Sequence, residues 1–279
     1  MKALIDGDIL VYRIGFTTED APVAIACSRM DESIKGIVEA TGAESFSVFL
    51  TATGQKCFRF QLFPEYKANR KQPKPYWYHE LRAHLVAEYG ASVSETAEAD
   101  DDLGIAQNDH TILCHIDKDL DQIPGRHYDF VKKVSYNVDV RRAIRFFFYQ
   151  LLMGDSIDNI KGIPGVGPKT AAKLLEGKTT ERELLDACKA AYAEAKLDDD
   201  YMKLQGRLLK IRQVEGEPLW EPEEGVVIKM VGEADSNLLL RGSPNETISL
   251  SNTSLSTSTT SSRKPKGNTS LIGSIVTTK

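Results

Sequence analysis

Cysteine is scarce and scattered in this chain of 279 residues: Cys27, Cys57, Cys114 and Cys188 lie far apart, with no CxxC spacing. That excludes a zinc knuckle and a disulfide framework, and it fits a reducing compartment. Long apolar runs are missing as well. No stretch approaches the roughly 18 residues of a membrane span. The opening Met1-Lys2-Ala3-Leu4-Ile5-Asp6 reads as a strand, not as the charged and then apolar regions of a secretion signal. The expected location is therefore cytoplasmic. A surplus of positive charge is absent too, the formal net charge being −5. Such a sum first argues against a nucleic-acid partner. Acids gathered around cations are neutralised locally, however, so the distribution of charge outweighs its total.

What the chain does have is acid in four tight groups: Asp6 with Asp8, Glu98 with Asp100 and Asp101, Asp117 with Asp119, and Asp155 with Asp158. Carboxylates repel one another unless something positive sits between them, and a bound divalent metal is the simplest such agent. Short apolar runs at 3–5, 46–50, 111–116 and 128–134 read as strands, and helical patterns at 33–40, 76–89 and 100–107 alternate with them. This predicts an α/β fold with a parallel sheet flanked by helices, in which ligands gather at the carboxyl ends of the strands. Asp6 and Asp117 close two of the expected strands, and Glu98 to Asp101 lead into a helix.

Each group has an ordinary reading. Asp6-Gly7-Asp8 alone is a turn that closes a strand, and acids at 98–101 also suit a helix N-terminus through the helix dipole. A solvated acidic face, though, would carry interleaved lysines, and none stands between Glu98 and Asp101. In Gly154-Asp155-Ser156-Ile157-Asp158-Asn159 two acids lie one helical turn apart. The flanking Asp8, Asp102 and Asp121 read as plain surface acids. If the four groups converge, they can hold two ions about 4 Å apart, stabilising both the attacking and the leaving oxygen in phosphodiester hydrolysis. Oxygen donors select magnesium, with manganese able to substitute, over zinc.

Two further segments speak of nucleic acid. In Gly162-Ile163-Pro164-Gly165-Val166-Gly167-Pro168-Lys169, the Gly165-Val166-Gly167 turn allows several amides to point one way before a helix that carries Lys169, Thr170 and Lys173. An ordinary turn before a helix is the bland alternative; a phosphate cradle is the sharper one, giving strand-generic, salt-dependent affinity. The segment Phe63 to Tyr78 interleaves Lys67, Arg70, Lys71 and Lys74 with Tyr66, Tyr76 and Trp77, offering charge for phosphates and faces for unpaired bases. From residue 138 the pattern turns helical, at 141–153, 169–176, 181–195 and 201–213. The expected organisation is a nuclease core over 1–137 with a basic gateway near 60–90, and a helical module over 138–232 that holds a duplex. A Ser/Thr-rich tail over 233–279 has too little apolar surface to offset its ordering entropy.

These motifs resemble the flap endonuclease superfamily of 5′ nucleases, in particular phage 5′-to-3′ exonucleases and the 5′-nuclease domain of bacterial DNA polymerases. The resemblance rests on Ile5-Asp6-Gly7, Pro64-Glu65-Tyr66-Lys67-Ala68-Asn69-Arg70, Glu98-Ala99-Asp100-Asp101, Asp117-Lys118-Asp119-Leu120, and Gly154 to Ile160 continuing into the hairpin. It runs from residue 1 to about 185 and more weakly to Trp220. It implies a PIN-like core with a helix-hairpin-helix module. Asp6, Glu98, Asp100, Asp101, Asp117 and Asp119 match carboxylates at or near the metals, and Asp155 with Asp158 match those mainly assigned to the second ion. Lys67 and Arg70 match gateway residues on the scissile phosphate and the 5′ single strand. The hairpin at Gly165 and Gly167 matches a duplex grip that often holds potassium. The implied partner is DNA with a 5′ end, flap or nick, or an RNA–DNA hybrid. One departure is plain: where the family places another aspartate after the second strand, this chain reads Leu50-Thr51-Ala52. That substitution implies altered metal affinity rather than lost activity. Two rivals stand beside this reading, a catalytically impaired DNA-binding protein and a PIN-like ribonuclease.

Overall fold

The computed structural model describes residues 1–228. Its framework is a six-stranded sheet, in spatial order β3 (Ser92–Val93), β2 (Ser45–Leu50), β1 (Lys2–Asp6), β4 (Thr111–His115), β5 (Gly125–Asp129) and β6 (Val134–Val138). The central strands β1 (Lys2–Asp6) and β4 (Thr111–His115) are nearly continuous apolar runs buried on both faces, as parallel strands beneath helices must be. β1 pairs in parallel with β4 and with β2 (Ser45–Leu50), and β2 pairs with the short β3 (Ser92–Val93). One layer of helices covers the face carrying Ile5, Val48 and Ile112: α1 (Gly7–Thr17), α2 (Val23–Thr41) and α4 (Tyr78–Tyr89). The other face packs Leu4, Phe49 and Leu113 against Leu103 of α5 (Ala99–Ala106). Among the described residues no helix is long and apolar enough to cross a membrane.

Two departures from the sequence reading are local. The run 128–134 is not one strand. It is the turn of a hairpin between β5 (Gly125–Asp129), parallel to β4, and β6 (Val134–Val138), antiparallel to β5, so the sheet is mixed. The Asp129 carboxylate makes the turn by accepting from the amides of Val131 (3.0 Å) and Lys132 (2.8 Å), and Lys133 takes a left-handed φ of 57°. Likewise Gly7 does not begin a loop. Asp6 caps α1, accepting from the Ile9 amide at 3.2 Å, and Leu10, Val11 and Ile14 then bury one helical face. The pattern was readable, but the Asp-Gly pair concealed it.

Beyond the sheet, α6 (Val140–Met153), α7 (Pro168–Leu174), α8 (Glu181–Glu194) and α9 (Asp199–Leu209) share their own core. It is built around Phe147, Phe148, Leu151, Leu184, Tyr192 and Trp220. The chain leaves α6 through Gly154 (φ 73°) and returns past it through Gly162 (φ 57°). A Cβ on Gly154 would meet the Gly162 amide nitrogen at 2.6 Å, and one on Gly162 would meet that of Gly154 at 2.3 Å. Only glycine allows the two backbones to pass so closely. The residues between them therefore project as a loop that carries Asp155 and Asp158. The 233–279 tail and the last residues of the expected helical module lie outside the described residues.

Candidate functional site

The four acidic groups meet at the carboxyl edge of the sheet. Asp6 ends β1 and is 3 % exposed; burial, Asp8 and Asp117 together push its carboxyl up to about 8. Asp100, in the first turn of α5, is held well above the usual carboxylate range by burial and by the charges of Asp6, Asp117 and Glu98. Asp117 follows β4 and caps the 3-10 turn Lys118–Gln122 through its bond from the Asp119 amide at 2.9 Å. Asp119 is raised to about 8 by burial, Asp117 and Asp155. Asp119 is oriented in turn by Gln150 of α6, whose amide donates to it at 2.9 Å. Repulsion of this size among buried acids means that a divalent cation would relieve a cost already present.

Cations from the gateway answer the outer acids. Lys67 forms a close ion pair with Glu98 and a second with Asp158 at 3.5 Å, and Arg70 pairs closely with Asp158. Burial alone would lower the Lys67 pKa, but Glu98 and Asp158 outweigh it and hold the ammonium above its ordinary range. The backbone is committed to this contact. Lys67 adopts φ 58° and Asn159 φ 62°, the Lys67 amide donates to the Asp158 carbonyl at 2.9 Å, and the Asn159 side chain donates to the Glu65 carbonyl at 2.8 Å. Non-glycine residues in this region carry a cost that tends to collect at functional sites. With Glu98 and Asp158 turned onto Lys67 and Arg70, no three His, Cys, Asp or Glu side chains among the described residues stand ready around one point as a cation cage.

Several site assignments need correction. Asp101 does not face the other acids. It is fully buried, and Arg59 of α3 (Phe58–Leu62) grips both its oxygens at 2.6 and 3.0 Å, while the Arg212 amide adds a bond at 3.0 Å. Burial raises its pKa, but Arg59 prevails and holds the carboxyl below the usual range. Arg59 also donates to the carbonyls of Leu208 and Lys210, both at 2.8 Å, so the pair bolts α5 to the end of α9. Tyr66 offers no stacking face. It is 2 % exposed, and its hydroxyl lies 2.9 Å from both Glu98 and Asp158. Tyr76, at 71 % exposure, is the open aromatic face of that segment, while the Trp77 indole nitrogen donates to the Ala21 carbonyl at 2.9 Å. Asp8, Asp102 and Asp121 are not idle surface acids. Asp8 accepts from Arg82 and from the Thr51 amide, Asp102 from the Ser94 hydroxyl, and Asp121 from Tyr136 (3.0 Å) and Arg142 (2.5 Å). Sequence reasoning missed Arg59 and Gln150. Arg59 did leave a trace, a lone arginine between Phe58 and Phe60 in a short apolar run.

The glycine hairpin is of opposite character. Gly165 has φ 81°, and a Cβ there or on Gly167 would meet nothing within 4 Å. Gly167 caps α7 and Pro168 occupies its first turn. Lys169, Thr170 and Lys173 are exposed on that helix, and Lys71 is exposed in the gateway.

Comparison with known proteins agrees with this architecture. Residues 143–214 match a family model described as 5′-3′ exonuclease, C-terminal SAM fold. DNA polymerase I of Pseudomonas aeruginosa is 31% identical over 218 residues, covering 66% of this chain and 23% of the polymerase. Flap endonuclease Xni of Shewanella baltica is 33% identical over 139 residues, covering 43% of this chain and 52% of Xni. This chain thus spans between about a quarter and about half the length of these curated relatives. In fold it is similar to a solved structure of phage T5 5′-exonuclease with bound zinc, with a TM-score of 0.58, 19% identity, and coverage of 75% of this chain and 89% of that one. The likeness to 5′ nucleases therefore holds in sequence, and the six-stranded sheet with flanking helices is the fold of the T5 exonuclease.

Proposed function

We propose that this protein is a divalent-metal-dependent 5′ nuclease that hydrolyses DNA phosphodiesters at a 5′ end, nick or flap. One observation carries the reading: Lys67 and Arg70 stand directly against Glu98 and Asp158, on the same sheet edge where Asp6, Asp100, Asp117 and Asp119 crowd together. Acids and bases that neutralise one another in the free protein are the groups that would part to a cation and to a phosphate.

Asp6, Glu98, Asp100, Asp117 and Asp119, with Asp155 and Asp158, are the oxygen donors that would hold magnesium or manganese; Asp101 is committed to Arg59 and drops from the set. Bound there, the metal would supply charge neutralisation at the scissile phosphate and an activated water. Lys67 and Arg70 would fix the phosphate, with Tyr66 keeping Glu98 and Asp158 oriented as the ion pairs exchange. Farther along the chain, the hairpin at Gly165 and Gly167, with Lys169, Thr170 and Lys173, would grip the duplex backbone; a potassium ion there belongs to the same reading.

The named relatives support the assignment, being a flap endonuclease and DNA polymerase I. The test is digestion of a panel of 5′-labelled flaps, nicks, blunt duplexes and RNA-primed hybrids with magnesium or chelator. Release of 5′ nucleotides or flaps only with metal is the expected result. Cleavage of single-stranded RNA in preference to every DNA substrate would instead favour the ribonuclease reading. Binding without cleavage of any substrate would favour a catalytically impaired DNA-binding protein.

A further inference from the structure

Thr51 directly follows β2 and carries no charge, yet it is hydrogen-bonded to α5 and α1, which bear acids, and to Arg82 of α4. Its hydroxyl accepts from the Ala99 amide at 3.0 Å, capping the first turn of α5 beside Glu98 and Asp100. Its own amide donates to Asp8 Oδ2 at 2.8 Å, in the first turn of the helix that Asp6 caps. Its carbonyl accepts from Arg82 Nη2 at 2.6 Å, and Arg82 Nη1 closes the ring on Asp8 Oδ1 at 2.6 Å. Arg82 is 6 % exposed and its guanidinium lies 5.5 Å from the Tyr78 ring. It is carried by α4, the helix into which the basic gateway runs.

We propose that Arg82, Asp8 and Thr51 form a positioning ring that sets the separation between Asp6 and the Glu98–Asp100 pair, and so sets the affinity of the carboxylate edge for a divalent cation. The inference rests on the metal-dependent reading above and deepens it. Three arguments support it. Each carboxylate oxygen of Asp8 is taken by a fixed donor, so Asp8 orients rather than wanders. Arg82 Nη1 holds Asp8 Oδ1 at 2.6 Å in the first turn of the helix that Asp6 caps, so the ring is anchored two residues from Asp6. Finally, the planar guanidinium spans a carboxylate and a carbonyl at once, which an ammonium on a flexible stem does not reproduce. The ring also hands the gateway a mechanical connection to the acids, because any displacement of α4 pulls on Asp8 and Thr51 together.

The experiment measures Mn2+ binding to the full-length protein by electron paramagnetic resonance, alongside steady-state cleavage of a 5′ flap. Thr51→Val keeps the amide and the carbonyl but removes the hydroxyl bond to α5. Groups that orient metal-binding residues typically contribute about 10- to 100-fold in metal affinity or activity. Thr51→Val should accordingly weaken Mn2+ binding by about tenfold and lower kcat by a similar factor, with KM for DNA unchanged, and Thr51→Ser should restore both. Arg82→Lys should fall between wild type and Arg82→Met. The double variant Asp8→Asn/Arg82→Met should be no worse than Arg82→Met alone, because members of one ring are not additive. Wild-type Mn2+ affinity in Thr51→Val, failure of Thr51→Ser to restore it, or additive losses in the double variant would each overturn the ring. If the Arg82 variants fail to fold, the Thr51 pair still decides. A wild-type protein that binds Mn2+ but cleaves nothing sinks the nuclease reading and leaves the ring tested by affinity, whereas one that binds no Mn2+ sinks both.

Discussion

The acidic edge and the glycine hairpin differ in almost every physical respect. At the edge, acids are compensated by partners that are buried or partly buried, apart from the half-exposed Arg70: Asp101 by Arg59, Glu98 by Lys67, Asp158 by Arg70, Asp8 by Arg82. At the hairpin, the glycines face open space and the lysines are exposed. The first region must hold atoms at fixed separations against strong mutual repulsion, and it does so with cross-links drawn from distant parts of the chain. Under the proposed function the second would have only to present amides and positive charge to a phosphate backbone, and local geometry suffices for that. Removing one group from the edge should therefore alter chemistry or stability steeply, while changes in the hairpin should be graded.

The steepest effect is expected from Asp155→Asn or Asp6→Asn. Either should lower magnesium-dependent release of 5′ nucleotides by roughly a thousandfold or more, since a metal supplies several kcal/mol to the transition state. Duplex binding in calcium should persist. Wild-type cleavage by either variant would remove that acid from the site. Asp6→Asn has a second signature: it relieves repulsion among buried carboxylates, so its thermal midpoint in chelator should rise above that of wild type.

Asp101→Asn should do the reverse, and the contrast separates the two kinds of acid. Breaking a buried pair leaves an uncompensated charge, here on Arg59, at a cost of about 3–5 kcal/mol. The variant should lose that much in urea unfolding, with or without metal. If Asp101→Asn instead stabilised the metal-free protein as Asp6→Asn should, the bolt between α5 and α9 would be misassigned.

Buried histidine adds to the sheet a pH dependence that the hairpin lacks. His127 Nε2 donates to the Ile123 carbonyl at 2.8 Å, so in the neutral ring Nδ1 accepts from His115 Nε2 at 2.7 Å. Burial and the neighbouring His115 lower its pKa from 6.5 to about 4. The unfolded chain binds a proton that the folded chain refuses, so this contribution to stability is complete above pH 6.5 and is lost as pH falls toward 4. Unfolding free energy should drop by roughly 1 kcal/mol per pH unit across that window from this group alone. His127→Gln should flatten the slope; an unchanged slope would show that His127 is already protonated when folded.

How much of this was legible beforehand follows the same division. Motif spacing put Asp6, Glu98, Asp100, Asp117 and Asp119 at strand ends and helix starts, where the structure has them, because such positions are local properties. It also located the hairpin, whose glycine spacing is its geometry. What stayed hidden were side-chain partners across long sequence distances. Nothing near Asp101 in the chain announces Arg59, which comes from 42 residues away, and nothing near Tyr66 announces Asp158, 92 residues away. The acid at 101 and the tyrosine at 66 read as a ligand and a stacking face because each stands in a motif made of such residue types. Tertiary pairing decided otherwise. Helix α1 was missed for a different reason: an aspartate followed by glycine is both a turn signal and a helix cap, and only the packing of Leu10 and Ile14 selects between them.

The smallest effects belong to the hairpin, and they test whether it grips phosphate at all. Gly167→Ala meets no atom within 4 Å, so its stability should stay within about 0.5 kcal/mol of wild type, as surface substitutions do. If a phosphate oxygen approaches that glycine closely, the added methyl group should nonetheless weaken duplex binding severalfold. Gly165→Ala should cost about 1–2 kcal/mol in folding because of its φ of 81°, which confounds its binding phenotype. The cleaner measurement is the salt dependence of duplex affinity for Lys169→Gln and Lys173→Gln. Each lysine that neutralises a phosphate contributes about 0.9 to the slope of log affinity against log salt, so each variant should lower that slope by about one while flap specificity is unchanged. An unaltered slope in both would move the duplex grip elsewhere, and Lys71 with the rest of the exposed gateway would then have to supply the counterion release.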